Sequence, residues 1–334
     1  MKEKVLRIFR EHGGGFVSGQ EICDALNVSR TAVWKVINAL KEEGYEFDAV
    51  KNRGYRLVSC PDTLTQWEIA SRLDTVIMGC RLEAYFRSHT STNNVLKKLA
   101  DEGAPEGTVV VADIQEGGKG RRGREWATPP PGTNIAMSIL VRPRTEPSRL
   151  SPITLVAAMA VRQAVAGMMD DAADQKDIMI KWPNDIVFNG GKLTGILTEL
   201  SLEEDRVSYA VIGIGINVNN ESFPEELRGK ATSMYLETGH RWQRAEIAAN
   251  ILKCFEALYR RFESDGFAGL SREYEKYLAG RGKKAMIMDR EPWEGTVMGV
   301  NEDGAVLVED HQGGVHEISS GEISIRGING YSPC

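Results

Sequence analysis

The chain of 334 residues has a formal net charge of −6, with 42% hydrophobic and 26% charged residues. That composition excludes extended disorder and collagen-like repetition, and about 150 residues per domain implies two or three domains. The longest largely apolar run, Ile153 to Val161, stops at Arg162, short of the roughly 20 residues of a spanning helix. Met1-Lys2-Glu3-Lys4 opens no apolar signal core, so a soluble, cytoplasmic protein is expected. The five scattered cysteines, none spaced C-x-x-C, imply neither a disulfide framework nor a zinc site.

Residues 1 to 60 carry ten Lys or Arg against eight Asp or Glu, so a head at +2 sits on a body at −8. Val5, Leu6, Ile8 and Phe9 fall on one face of a helix that Gly13-Gly14-Gly15 stops. Ser18 and Glu21 form a capping box before a short helix with Ile22, Ala25 and Leu26. After Asn27-Val28, Ser29 caps a third helix on which Val33, Ile37 and Leu40 recur at helical spacing. Its opposite face shows Arg30, Thr31, Trp34, Lys35 and Asn38. Two strands, 45–50 and 55–58, follow, joined by the basic turn Lys51-Asn52-Arg53-Gly54. Three helices and a hairpin make a winged helix-turn-helix whose third helix enters the major groove. Donors and acceptors on that face, with Lys51 and Arg53 on the wing, favour DNA binding over an ordinary polar surface.

Cys60-Pro61-Asp62 reads as a linker, and a helix with Leu64, Trp67, Ile69 and Leu73 opens the middle region. There, helical stretches (94–100, 150–169, 244–262) mix with strands (108–112, 135–141, 178–181, 186–188, 193–200, 207–216), suggesting an α+β sheet domain. Beyond Gly280, short strands at 284–288, 295–300, 305–309 and 315–318 with Gly, Asp and Asn turns suggest a small β-barrel.

Four segments carry the chemistry. Gln115 to Trp126, QEGGKGRRGREW, sets four glycines among four cations after an apolar strand. Glycine lets backbone amides approach an anion that cations neutralise, and no P-loop results because Gly-Lys is followed by Gly. A phosphate-bearing small molecule is favoured over a solvated basic loop or an RNA-binding tract. Lys181-Trp182-Pro183-Asn184-Asp185 places a lysine at a strand-to-turn corner, either an aimed ammonium or a hairpin with a surface lysine. In Ile212-Gly213-Ile214-Gly215-Ile216-Asn217 the third glycine and following helix of a dinucleotide fingerprint are missing. Its two glycines clear room for a ligand or for an aromatic ring of the core. Ser91-Thr92-Asn93-Asn94, taken alone, is an N-cap.

Together these segments resemble the biotin-protein ligases, specifically the bifunctional type that also represses the biotin operon. Ser91-Thr92-Asn93 is similar to the family's S-T-N stretch, 115–126 to its Q-x-x-G-R-G-R-x-G-R-x-W loop, and 181–185 is identical to K-W-P-N-D. Lys192-Leu193-Thr194-Gly195-Ile196-Leu197 with Glu199, the Gly213–Asn217 strand, and Gly321-Glu322-Ile323-Ser324-Ile325-Arg326 follow in family order. Lys119 stands where the family's first loop arginine does, keeping the charge and losing the planar fork. The stretch from Asn219 to Glu237 holds no tryptophan to stack on adenine.

The resemblance implies three domains: residues 1–60 a DNA-binding winged helix-turn-helix, 61–280 a catalytic domain like the class II aminoacyl-tRNA synthetases, and 281–334 an SH3-like barrel. It implies an ATP-dependent, Mg²⁺-requiring ligase that makes biotinyl-5'-AMP and transfers biotin to a lysine of biotin carboxyl carrier protein. The adenylate would act as corepressor, promoting a homodimer on operator DNA. By the same resemblance, Lys181 and Arg121 are catalytic. Ser91, Thr92, Asn93, Gln115, Lys119, Gly120, Arg121, Lys181, Gly213 and Gly215 bind biotin. Lys119, Arg121, Arg122, Arg124, Trp126, Lys181, Asn184, Asn217 and Arg326 hold ATP or the adenylate, with no metal ligand assigned. Ser29, Arg30, Thr31, Trp34, Lys35, Asn38, Lys51 and Arg53 meet DNA. A lipoate-type ligase and a non-catalytic sensor are the alternatives. The first lacks its R-R-x-x-G-G-G stretch here, and the second does not explain the cationic loop with Lys181.

Overall fold

The computed structural model describes the chain apart from residues 89, 125, 145, 170, 204–205, 289–290, 320–323 and 328–334. For 122, 148, 172–174 and 324–326 it describes the backbone alone. The head comprises α1 (Lys2–Glu11), α2 (Gly19–Leu26), α3 (Arg30–Glu42) and the hairpin β1 (Glu46–Val50) with β2 (Gly54–Ser59). Ser18 Oγ accepts from Glu21 N and Ser29 Oγ from Ala32 N, so both hydroxyl caps form, while the Glu21 carboxylate of the expected capping box meets the His12 ring. Asn27 takes the left-handed turn between α2 and α3 at φ 51°. The apolar faces close on a core of their own that includes Val5, Leu6, Phe9, Ile22, Val33, Ile37, Leu40 and Phe47.

The head meets the body at α4 (Gln66–Ala70), shorter than the 64–73 pattern suggests because Thr65 caps it and the chain turns at Ser71. Glu68 is fully buried there. Its carboxylate accepts from Arg10 of α1 at 2.6 Å, from the Tyr45 hydroxyl and from Arg72. Burial, and then the bond to Glu68, pushes the Tyr45 phenol far above its ordinary pKa, so it remains a donor. Arg7 adds a bond to Ala70 O, and the Lys2 ammonium sits 4.3 Å from the centre of the Trp67 ring.

The body is built on a seven-stranded sheet in the order β3-β4-β5-β9-β8-β7-β6. Its strands are β3 (Arg81–Ser88), β4 (Thr108–Gln115), β5 (Asn134–Val141), β6 (Ile178–Lys181), β7 (Asp185–Phe188), β8 (Gly191–Glu203) and β9 (Arg206–Asn217). Only the β3–β4 pair is parallel, which makes the sheet mixed as expected. One face, including Val109, Val111, Ile135, Met137, Ile212 and Ile214, joins a core shared with helices α7 (Ile153–Ala166) and α10 (Arg244–Asp265). The helix expected over 150–169 is divided because Pro152, which has no amide hydrogen, separates α6 (Pro147–Leu150) from α7. The other face carries α5 (Thr92–Asp101), whose Leu96 and Ala100 pack on Val110, Leu140, Tyr209 and Val211.

Shorter helices α8 (Ala172–Asp177), α9 (Met234–Thr238) and α11 (Ala268–Glu275) complete the body. Strands β10 (Lys284–Met288), β11 (Trp293–Val300), β12 (Val306–Glu309), β13 (Val315–Ile318) and β14 (Ser324–Gly327) form a five-stranded antiparallel sheet. Its Ala285, Ile287, Val297, Val306 and Val308 extend the core of the body. Trp182 Nε1 donates to Gly304 O at 3.0 Å, which ties the 181–185 corner to this sheet. Among the described residues no helix is long and apolar enough to cross a membrane.

The buried junction yields a test. Replacing Glu68 with alanine leaves two mostly buried guanidiniums without their counter-charge, a change that typically costs about 3 to 5 kcal/mol. Urea unfolding of Glu68→Ala should show a loss of that order in the transition that melts the head, with Glu68→Gln losing less.

Candidate active site

The open face of the central sheet is made by small residues in register across strands. Ala136 of β5 pairs with Gly215 of β9, Gly215 with Gly195 of β8, Gly195 with Asp185 of β7, and Asp185 with Lys181 of β6. A second row runs Ser138, Gly213, Leu197. Above them lies a cavity of 630 Å³ whose walls bring together all four predicted segments, the glycines of β9 among them. Ser91, Thr92, Asn93 and Gln115 stand at one end, and Lys119, Gly120, Arg121, Arg124 and Trp126 come from the glycine-rich loop. Lys181 and Asn184 enter from the corner after β6.

The alternating glycines of β9 have separate occupants. A Cβ at Gly215 would lie 2.7 Å from the Trp126 ring and one at Gly195 2.8 Å from it, so the indole rests on a flat two-strand platform. A Cβ at Gly213 would lie 2.3 Å from Asn93 Oδ1, so that glycine seats a carboxamide. Of the two readings open for these glycines, an aromatic ring is what stands over Gly215, although both glycines also line the cavity.

The loop that delivers Trp126 is closed by backbone bonds from Gly120 N to Arg124 O, Arg124 N to Arg121 O and Trp126 N to Gly118 O. Gly118 permits this because a Cβ there would meet Trp126 within 3 Å. A single 3-10 turn at Arg121–Gly123 ends on Gly123 at φ +70°. Arg121 donates to Asn184 Oδ1 at 3.2 Å, and Asn184 donates on to Ile196 O at 2.9 Å, which links loop, corner and β8. Lys181 is 7% exposed and lines the cavity.

Several lining groups lie outside the predicted set. Asp185 and Lys192 pair at 2.7 Å, with the Lys192 ammonium 5.6 Å from the Trp126 ring centre. Both belong to motifs recognised in the sequence, yet only pairing across β7 and β8 brings them to the cavity. Arg228, Gly229 and Lys230 close another side. Their loop is pinned to β8 by Lys192 N to Lys230 O and Thr232 N to Lys192 O. The tripeptide Arg-Gly-Lys was the available signal, a glycine between cations, and it was too short to stand out.

One expected ligand residue is placed elsewhere. Asn217 is buried, and its side chain bonds Asn134 and the carbonyls of Thr232 and Lys192, so it holds strands together and does not line the cavity. Cross-strand amide bonding at the end of β9 is the physical reason. The side chains of Arg122 and Arg326, and residues 321–323 of the last motif, lie outside the described residues. On the head, Ser29, Arg30, Thr31, Trp34, Lys35, Lys51 and Arg53 are exposed and Asn38 is half-buried. The Ser29 hydroxyl is engaged in the cap of α3, Arg30 bonds Gln20, and Arg53 stacks 4.6 Å from the Phe16 ring.

Electrostatically the cavity is one-sided. Its described lining holds seven cationic side chains, Lys119, Arg121, Arg124, Lys181, Lys192, Arg228 and Lys230, against one carboxylate, Asp185. Like charges gathered in a partly enclosed site favour a multiply charged anion. The polar, uncharged end at Ser91, Thr92, Asn93 and Gln115 suits a neutral hydrogen-bonding group. Among the described residues no cluster of three or more His, Cys, Asp or Glu forms a metal site.

Residues 85–217 match the Biotin/lipoate A/B protein ligase family and residues 2–56 an HTH domain. The Bacillus subtilis bifunctional ligase/repressor BirA is 41% identical over 329 residues, covering 97% of this chain and 98% of the relative. Its Escherichia coli counterpart is 30% identical over 315 residues, 94% of each. The structure of the Aquifex aeolicus biotin protein ligase in complex with biotin and ATP superposes with a TM-score of 0.63 at 29% identity, over 74% of this chain and 99% of that one. Fold, cavity and likeness along nearly the whole length make this chain a member of the bifunctional biotin ligase/repressor family.

Proposed function

We propose that the chain activates biotin with ATP to biotinyl-5'-AMP and transfers it to a lysine of a biotin carboxyl carrier protein. The same adenylate serves as corepressor for operator binding. The observation that carries the reading is the convergence of seven cations on a cavity whose far end is neutral and polar. A carboxylate and a triphosphate repel each other until cations screen them, and this lining supplies the screening.

In the first step a biotin carboxylate oxygen attacks the α-phosphorus, an acyl–oxygen–phosphorus bond forms, and the bond to the pyrophosphate oxygen breaks. Lys181, buried at the end of β6, stabilises the charge on the α-phosphoryl oxygens. Arg121, oriented by Asn184, holds the phosphate that remains, while Lys119, Arg124, Arg228 and Lys230 receive the departing pyrophosphate. Asp185, the one carboxylate of the described lining, would be the residue to hold a magnesium ion, which would supply neutralisation of the triphosphate charge. In the second step the acceptor amine attacks the acyl carbon and AMP leaves. Ser91, Thr92, Asn93 and Gln115 take the biotin head, and Trp126 covers the tail and excludes water. No protein nucleophile is required.

For the second activity, the face of α3 with the wing residues Lys51 and Arg53 contacts DNA. One head at +2 binds weakly, and a two-fold pair of heads on a dimer gains from effective concentration. Ordering of the loops around the adenylate stabilises that dimer.

Two experiments test these assignments. Lys181→Ala should lower pyrophosphate release under saturating biotin and ATP by on the order of 10² to 10³ while the melting temperature stays near that of the parent. Release within a few-fold of the parent would remove Lys181 from its role. Lys51→Ala or Arg53→Ala should weaken DNA binding evenly across sequences and reduce the salt slope by about one. Filter binding at several salt concentrations, with and without biotinyl-AMP, reads both that slope and the dependence on adenylate.

A further inference from the structure

Phe16 stands in the loop between α1 and α2, half-buried yet outside the apolar core of the head. What its ring meets is charge. The Arg53 guanidinium lies 4.6 Å from the ring centre and that of Arg56 5.0 Å from it. The two arginines differ in their other partners. Arg56 pairs with Asp48, the residue opposite it on β1, whereas among the described residues no carboxylate pairs with Arg53. The wing therefore presents one compensated and one uncompensated cation at a single aromatic platform.

The backbone holds platform and cation together. Val17 N donates to Tyr55 O at 2.8 Å and Tyr55 N to Val17 O at 2.9 Å, which bridges the residue after Phe16 to the strand that follows Arg53. Gly54, at φ +98°, comes so close that a Cβ there would stand 2.0 Å from Val17 O, an approach open to glycine alone. At the wing tip Arg53 N donates to Val50 O at 3.0 Å, and Asn52 takes the left-handed turn at φ 63°. With the chain fixed on both sides, the freedom left to Arg53 is that of its long side chain, and the ring restrains it. A cation over an aromatic face is held by the ring quadrupole and spends no carboxylate, so the full charge stays available to a phosphate.

We infer that Phe16 is a positioning residue for DNA binding: its ring holds the uncompensated Arg53 guanidinium in place at the wing tip for the phosphate backbone beside the groove that α3 enters. This role rests on the DNA-binding reading above, in which Arg53 meets DNA. Ordering a free arginine on contact costs rotamer entropy, and a side chain already restrained loses less of it. Removing the ring therefore weakens binding without changing how many phosphates are neutralised. Arg56 with Asp48, neutral as a pair, adds no net charge to that contact.

Filter binding across a range of salt, on the full chain with biotinyl-AMP and a duplex that the parent selects from a random pool, separates positioning from packing. Phe16→Leu, which keeps apolar bulk and removes the ring face, should raise Kd about fivefold with the salt slope unchanged. Arg53→Ala should lower the slope by about one, and adding Phe16→Leu to it should cost nothing further. Phe16→Tyr restores a ring and should bind within about twofold of the parent. A Kd for Phe16→Leu within about twofold of the parent, or an equal loss in the Arg53→Ala background, overturns the positioning role and leaves the wing contact standing. If Arg53→Ala changes neither Kd nor slope, or the parent retains no duplex, the wing contact itself fails and the role of Phe16 with it. Should Phe16→Leu unfold the head, Arg53→Lys carries the test. It keeps the charge and the slope but loses the planar group, so binding should weaken several-fold, and an affinity equal to the parent's overturns the role.

Discussion

The site depends on a strip of the central sheet from which side chains are missing. Across β5, β9 and β8 the register aligns Ala136, Gly215 and Gly195, and one row away Gly213 lies between Ser138 and Leu197. Any β-carbon on Gly195, Gly213 or Gly215 would stand within 3 Å of Trp126 or Asn93. Glycine weakens a strand, yet here the strands are paired on both sides and the opposite face is anchored in a large apolar core. Packing on one face allows the other to stay bare. The cavity is thus a surface of backbone, where a flat ring can lie close and side chains arrive only from the edges.

Those edges supply the charge. The glycine-rich loop, the corner after β6, the first turn of β8 and the 228–230 loop each bring cations, and hydrogen bonds among them hold the frame. Arg121 to Asn184 to Ile196 crosses from loop to corner to strand, and Lys192 both pairs with Asp185 and carries the 230–232 backbone. Mutual repulsion among these cations is relieved when a polyanion enters.

A second set of buried charges joins the head to this frame. Arg244, 1% exposed, donates to Asp62 of the linker at 2.9 Å and to Asn134 O of β5 at 3.0 Å, and it pairs with Asp113 of β4. Glu68 binds Arg10, Tyr45 and Arg72 just beyond. Buried ionic groups of this kind hold geometry more than they add stability, because desolvation offsets much of their attraction.

The sequence by itself determined whatever depends on neighbours along the chain. The caps at Ser18 and Ser29, the periodic faces of α1 and α3, the wing turn, the loop of glycines and cations and the corner at Lys181 are all local. Their order also carried the resemblance that named the activity and the domains. The tertiary structure decided what depends on pairing between distant strands. Only the β5–β9–β8 register shows that Gly215 faces Gly195 and receives Trp126, and that Gly213 receives Asn93. Asn217, adjacent to those glycines in sequence, turns instead into a bond network with Asn134 and Thr232. Asp185, Lys192 and Arg228 to Lys230 join the cavity because strand pairing and one backbone bridge bring them there. A hydrogen bond or a steric contact acts over a few ångströms of space, and a single sequence records distance along the chain alone.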